Sequence, residues 1–289
     1  MKLCISCDRT FAGSKWRCPH CLNEPAVIDN HIAFAPDLAC QSEGFEADYF
    51  ARLADQEAGN FWFRARNRLV VWALHRYFPK AQNFLEIGCG TGFVLSGIKE
   101  AFPGLALFGS EVFSEGLAFA ATRLPTVELF QMDARRIPFR DEFDLIGAFD
   151  VLEHVKEDEA VLAQMYEATR DGGGILITVP HHRFLWSPVD EFARHVRRYE
   201  TRELTEKVQR AGFSVLRVTS FVSLLLPLLV ASRLKQRGKA VDPSAEYDIN
   251  PTLNRALEKI LDAERTAIRS GLSFPVGGSL LLVARRNEA

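Results

Sequence analysis

Short, nearly continuous apolar runs recur along the chain at 84–87, 106–110, 127–131, 143–149 and 174–179. Runs of this length without strict alternation read as strands buried on both faces. They alternate with helical stretches, so the pattern predicts an α/β fold: a doubly wound, mostly parallel sheet with ligands at the carboxyl ends of its strands. Helical periodicity begins near Asp48 and continues through the aromatic and basic run from Phe61 to Trp72. A later segment, 221–231, is strongly apolar, and Arg233, Lys235, Arg237 and Lys239 follow it at alternate positions. Eleven apolar residues are too few to span a bilayer, which takes about 20, and Pro227 would bend a helix there. The segment reads either as a buried helix with a solvated basic tail or as a peripheral membrane contact through 221–239.

The first run ends in Glu86, and the chain then reads Ile87-Gly88-Cys89-Gly90-Thr91-Gly92 before a helix that begins around Phe93. Glycine serves where the backbone takes positive φ or approaches another molecule closely. Three alternate glycines between strand and helix make a smooth turn under which a nucleoside can lie. The spacing is G-x-G-x-G, not the G-x-G-x-x-G that seats a pyrophosphate. Glu86 would repel a phosphate and attract an ammonium or sulfonium. A cationic, phosphate-free cofactor is implied: S-adenosylmethionine (SAM) fits and NAD does not. Glu111, at the end of the second run with Val112 beside it, is placed to accept both ribose hydroxyls, and Asp133, followed by Ala134, to accept from an adenine amino group.

Six cysteines matter by position. Cys4-x-x-Cys7 and Cys18-x-x-Cys21 form two knuckles that together supply a tetrahedral four-sulfur site. Structural zinc is the expected occupant, with a rubredoxin-like iron centre and a metal-free module as the alternatives. His20, between Cys18 and Cys21, is either a replacement ligand or exposed filler. A module this small cannot bury enough apolar surface to fold alone, so metal binding would supply its folding free energy. Cys89 reads as a small packing residue within the cofactor loop.

The organisation expected is a zinc-ribbon-like module at 1–28, a linker and N-terminal helices at 29–78, and a catalytic domain at 79–289. Insertions fall at 181–200 and 221–270. Composition adds bounds: 289 residues, 47% hydrophobic and 25% charged, suit a globular chain with a sizeable core. A formal net charge of -2 and a pI near 6.4 weigh against a polyanion as main partner, so RNA is not the favoured one. No basic segment followed by an apolar one opens the chain, which makes a cytoplasmic location the expectation.

Together, E-I-G-C-G-T-G (86–92), Glu111, D-A (133–134), F-D-V-L-E-H-V (149–155) and D-G-G-G-I-L-I-T-V-P (171–180) resemble the class I SAM-dependent methyltransferases, the group that includes the ubiquinone-biosynthesis type. The resemblance covers roughly residues 60–289. It implies a seven-stranded sheet with an antiparallel last strand, the last two strands being 213–219 and 279–283. It also implies that the N-terminal helices cover cofactor and substrate, so that 61–68 is either core or lid, and that Phe149 lies at the cofactor and His154 beside the methyl group.

Methyl transfer to a hydroxyl benefits from a base, and histidine titrates near neutrality. His154 and the pair His181-His182, just past the fifth strand, are the candidates. Trp186, His195, Arg198 and Tyr199 are candidate substrate contacts in a segment similar to V-P-x-x-x-x-L-W-S-x-x-D-x-x-x-x-H-x-R-R-Y of bacterial methyltransferases associated with surface-glycan and isoprenoid-linked pathways. The expected activity is O-methylation of a small or lipid- or glycan-linked hydroxylated acceptor. The alternatives are an RNA base methyltransferase bearing a zinc module and a non-catalytic SAM-binding scaffold. Against amino-group targets stands the absence of an Asn/Asp-Pro-Pro-aromatic signature after the fourth strand.

Overall fold

The structure is a computed structural model and describes residues 1–40, 48–236 and 249–288. Five parallel strands form the centre of one sheet: β5 (Asn83–Ile87), β6 (Ala106–Glu111), β7 (Glu128–Gln131), β8 (Phe143–Phe149) and β9 (Thr169–Pro180). β10 (Phe213–Phe221) and β11 (Ser279–Arg286) complete the expected seven, with β11 antiparallel to both of its neighbours, β10 and β9. Leu85, Ile87, Ile146, Ala148, Ile175 and Ile177 bury one face. Phe84, Leu145, Leu176, Leu281 and Val283 bury the other, against α2 (Phe61–Tyr77) and α3 (Phe93–Ala101). Burial on both faces accounts for the continuous apolar runs.

The sheet has nine strands, because β3 (Ala26–Ile28) and β4 (His31–Ala33) add a hairpin beyond β7, β4 lying parallel to it. Residues read as the end of the metal module and the start of a linker are therefore part of the sheet. Asp29 and Asn30 both take positive φ, 49° and 67°, as a type I′ turn requires. That Asp-Asn pair between short apolar triplets was the available signal. β9 also begins before the apolar run at 174–179 and includes Asp171-Gly172-Gly173.

The remaining helices are α1 (Asp48–Gln56), α4 (Ser114–Arg123), α5 (Asp158–Ala168), α6 (Pro188–Phe192), α7 (Thr201–Arg210), α8 (Leu226–Gln236) and α9 (Pro251–Arg269). The apolar stretch 221–231 splits between the end of β10, a turn, and α8. Pro227 sits in the first turn of α8, where a missing N–H costs nothing, so no bend arises. No helix among the described residues is long and apolar enough to cross a membrane. Arg237 and Lys239 of the proposed basic tail, and Gly44 of the linker, lie outside the described residues.

At the far edge, β1 (Lys2–Leu3) and β2 (Thr10–Phe11) form a two-stranded ribbon. Trp16 fixes it to the sheet, its ring meeting Phe34, Phe139 and Phe130 edge-on at 4.6, 5.3 and 5.9 Å. The Leu3 N–H donates to the Pro138 carbonyl and the Arg140 N–H to that of Met1. The ribbon is continuous with the aromatic core through Phe11, Phe130, Phe139 and Phe143.

Candidate functional site

A cavity of about 1120 Å³ opens at the carboxyl ends of β5, β6 and β8. Small-molecule sites usually measure about 300–1,000 Å³, so this one has room for a cofactor and an acceptor together. Glu86, Gly88, Cys89, Gly90, Glu111, Val112, Asp133, Ala134 and Phe149 all line it. Gly90 has φ 51°, and a Cβ there would meet only the Phe50 ring edge at 3.7 Å, so the glycine faces open cavity. Gly92 does not line the cavity. It caps α3 at φ 75° and lies against Ala120, where a Cβ would sit 3.2 Å away, so its role is helix packing.

Glu111 accepts the Gly90 N–H at 3.0 Å and that of Val112 at 2.8 Å, which aims its carboxylate at the glycine turn. Glu86 is buried, and its Oε2 has no hydrogen-bond partner. Burial pushes its carboxyl well above the ordinary range, partly opposed by Arg66. Oε2 is thus left on the cavity wall beside the glycine turn as a buried acceptor without a partner. Asp133 lines the cavity, but Arg135 already grips both of its oxygens at 3.0 Å or less.

The catalytic candidates separate. His154 lines the cavity; His181 and His182 do not. His181 is fully buried, with Nε2 bonded to Thr201 Oγ1 at 3.1 Å and Nδ1 to Ser220 Oγ at 2.9 Å. Burial, aided by His182, brings it down to about 4. With both ring nitrogens engaged inside the protein, it cannot reach an acceptor. His182, at φ 62°, stacks on His181 with ring centres 3.6 Å apart and meets Glu200 through Nδ1. The strand-five pair is thus a structural stack rather than the base the sequence suggested.

Among the substrate candidates, His195 and Arg198 line the cavity, while Trp186 and Tyr199 do not. Trp186 faces outward against Glu191. Tyr199 is fully buried and donates to Asp158 Oδ2 at 2.5 Å, tying the 181–200 insertion to α5. Asp190 organises the wall here. It meets His195 Nδ1 at 2.9 Å and accepts from Arg198 Nε at 2.7 Å. Burial alone would raise the Asp190 carboxyl, yet these two partners bring it to about 2.

Three residues that the sequence reading passed over complete the site. Glu153, within the F-D-V-L-E-H-V stretch, is fully buried on the cavity wall, and neither carboxylate oxygen has a hydrogen-bond partner. Its Oε1 lies 4.0 Å from His195 Nε2. His154 packs edge-on against His195, ring centres 4.8 Å apart, and burial lowers its pKa to about 3. A ring so hard to protonate is a weak general base. Arg66, from the aromatic-basic run of α2, pairs with Asp150 and lies 4.6 Å over the Trp62 ring. Glu57 accepts from Thr91 and from Arg123, bracing the glycine loop from below. Asp150, Arg194 and Val222 all take positive φ on the cavity wall, the last a β-branched residue for which that conformation is costly.

Away from the cavity, the Sγ atoms of Cys4, Cys7, Cys18 and Cys21 converge, all within 4.8 Å of one another. Cys4 and Cys21 are 3.5 Å apart, and Cys7 and Cys18 3.7 Å. A tetrahedron with Zn–S of about 2.3 Å has edges of about 3.8 Å, so the four thiols fit a zinc ion. His20 lies outside this cluster, its N–H directed at Cys18 Sγ.

Comparison with known proteins agrees with the fold and with a methyltransferase domain. Residues 54–218, more than half of the chain, match the family described as methyltransferase domain. The chain is 27% identical over 162 residues to a probable S-adenosylmethionine-dependent methyltransferase of Mycolicibacterium smegmatis, covering 54% of this chain and 60% of that protein. It is 28% identical over 173 residues to ajmaline N-methyltransferase of Rauvolfia serpentina, covering 57% and 58%. It is 25% identical over 211 residues to phosphoethanolamine N-methyltransferase 2 of Caenorhabditis elegans, covering 69% and 45%. The matches thus span 45–60% of these relatives' own lengths. In fold, it superposes on Haemonchus contortus phosphoethanolamine N-methyltransferase 2 bound to S-adenosylhomocysteine, with TM-score 0.51, 20% identity and coverage of 76% and 52%. The strand order, the glycine turn with its two acids and the family match converge: the chain belongs to the class I SAM-dependent methyltransferases.

Proposed function

We propose that the protein transfers the methyl group of SAM to an oxygen of a hydroxylated acceptor. The observation that carries this reading is the corner formed by Glu153, His154 and His195 on the wall of the cofactor cavity. Amine acceptors need little more than positioning, because their lone pair is available once they are deprotonated. A hydroxyl must lose its proton as the bond forms, so it needs polar groups beside its oxygen, and this corner is where the cavity places a carboxylate and two imidazoles. The geometry required is in-line attack at near-attack distance, with Glu111 holding the ribose, Glu86 the ammonium and the glycine turn the adenosyl group.

For the acceptor, the reading favours an amphiphile, either small or linked to a lipid or glycan. Phe61, Trp62, Leu225, Leu229, Leu253 and Leu257 give the cavity an apolar wall. Leu224 and Leu228 stand exposed nearby, which extends the proposal to peripheral contact with a membrane. In the ribbon, the four cysteines hold structural zinc.

The test is turnover of SAM to S-adenosylhomocysteine with a panel of hydroxylated and amine acceptors, the product methyl assigned by NMR as O–CH3 or N–CH3. O-methyl product is expected. His195→Ala should lower turnover by about two to four orders of magnitude with SAM affinity within twofold of wild type. Exclusive N-methylation, or full turnover by His195→Ala, overturns the reading.

A further inference from the structure

We propose that Glu153, His154 and His195 form a binding site for a divalent transition-metal ion, which receives the acceptor's oxygen. The inference rests on the reading of the cavity as the methyl-transfer site and says how the acceptor is held and activated there. One ligand atom from each residue falls within a sphere of mutual distances no greater than 4.8 Å. Two imidazoles and one carboxylate suit zinc, manganese or iron(II), and three protein ligands leave positions open for a further oxygen.

The independent observation is Glu153. Its side chain is completely buried, and both carboxylate oxygens lack a hydrogen-bond partner among the described residues. A buried carboxylate without partners is costly, and such groups are normally paired or coordinate a metal. The nearby cations do not satisfy it. Arg66 is engaged by Asp150, and Arg198 directs Nε to Asp190 and Nη1 to the His181 carbonyl.

The histidines are also held as ligands are. A metal-bound imidazole usually gives its other ring nitrogen to a carboxylate or a backbone carbonyl, which fixes tautomer and orientation. His195 Nδ1 is bonded to Asp190, which leaves Nε2 turned toward Glu153. His154 is hydrogen-bonded by the Ala193 backbone. Both anchors come from one short segment, 190–195, so α6 and the turn after it serve as the outer support of the site. Asp150, three residues before Glu153, is excluded as a fourth ligand by its pairing with Arg66.

An acceptor hydroxyl that coordinates such an ion becomes more acidic and releases its proton to bulk water. The oxygen then forms its bond to the methyl carbon as the sulfur–methyl bond breaks. Sulfur keeps the electron pair, and the products are the methyl ether and neutral S-adenosylhomocysteine.

Mn²⁺ is the probe, because thiolates prefer zinc and the zinc-loaded ribbon will not compete for it. Full-length protein carrying a single zinc per chain, which the four thiolates take in preference to an N/O site, is titrated with Mn²⁺, and the free aqueous ion is followed by EPR, with and without S-adenosylhomocysteine. One bound Mn²⁺ per chain is expected beyond the ribbon zinc. Glu153→Gln, which keeps the shape and removes the charge, should weaken it at least a hundredfold. Asp190→Asn, acting through His195, should weaken it about tenfold to a hundredfold. Should Glu153→Gln fail to fold, His195→Asn is expected to show the same loss. Calorimetric affinity for S-adenosylhomocysteine should be unchanged in each folded variant. No Mn²⁺ on the wild type, or equal Mn²⁺ on wild type and Glu153→Gln, overturns the proposal. Loss of S-adenosylhomocysteine binding by the wild type would instead count against the cofactor reading, since the titration without cofactor tests the ion site separately.

Discussion

Glu111 and Glu86 share the glycine turn but do different work. Glu111 is fixed by three backbone N–H groups, from Gly90, Val112 and Phe113, and the proposed ribose contact falls to its remaining lone pairs. Glu111→Ala should therefore weaken SAM binding by about 1.5–3 kcal/mol, the range for hydrogen bonds to a charged group. Calorimetric affinity within twofold of wild type would remove the ribose assignment. Glu86 is held less fully: the Leu95 backbone meets its carboxyl, but Oε2 has no hydrogen-bond partner. Burial raises its carboxyl first, Glu57 and Glu111 add to this, and Arg66 opposes it. An ammonium beside it favours the ionised form, so its pKa must fall when cofactor binds and a proton must leave. The sign follows: affinity for S-adenosylhomocysteine is full above the raised pKa of the unliganded protein and declines as pH falls through it. Calorimetry in two buffers of different ionisation enthalpy checks this, and a binding heat independent of buffer would show that no proton is released.

At the scale of elements, the end of β9 decides which histidines can react. The strand does not stop at Pro180. His181 donates its N–H to the Gly278 carbonyl and forms a bridge with Tyr199, so it extends the sheet between two neighbours. Its ring consequently enters the space between α7 and β10 and bonds Thr201 and Ser220. His181→Ala should therefore cost stability and not chemistry. Two hydroxyls would lose their partner inside the protein, for a loss of about 1–3 kcal/mol in denaturant unfolding with kcat nearly unchanged. A variant of full stability with turnover reduced a hundredfold would return His181 to the catalytic list. The turn after β10 shows a different device. Buried Glu264, on α9, accepts the Ser223 and Leu224 N–H groups at 2.7 Å each. It thereby holds Val222 in its positive-φ conformation on the cavity wall.

Across the whole molecule, the ribbon is joined to the cofactor side of the sheet. Residues 133–135 line the cavity, Arg136 reaches the Ile5 carbonyl, and Pro138 and Arg140 share backbone hydrogen bonds with the ribbon. The segment between them is thus held by cofactor on one side and ribbon on the other. With the proposed zinc in the ribbon, chelation should lower Tm, because a module of this size has little core without a metal. It should also lower affinity for S-adenosylhomocysteine several-fold through this segment. Differential scanning calorimetry and binding on the same chelated sample check both, and unchanged values would make the ribbon a passive attachment. Trp16 anchors the ribbon to the sheet by packing. Its replacement by Ala should cost about 3–5 kcal/mol, as for other large aromatic truncations in a core.

The parts legible in the sequence are those encoded within a few consecutive residues. Strand, acid, alternate glycines and helix follow one another in 84–93, so the cofactor cradle can be read off the chain, and the two C-x-x-C knuckles likewise bring their ligands together through local turns. The five central strands were legible too, because burial on both faces leaves an unbroken apolar run for each of them. What tertiary structure alone decided is direction and company. Whether a histidine after β9 faces cavity or core depends on register against strands and turns far along the chain. Glu153 gains its significance only when folding strips away water without supplying a partner, and when Asp190 and the Ala193 backbone turn His195 and His154 toward it. Local propensity carries no information about such desolvation. It arises from the packing of the 181–200 insertion onto the carboxyl ends of the sheet.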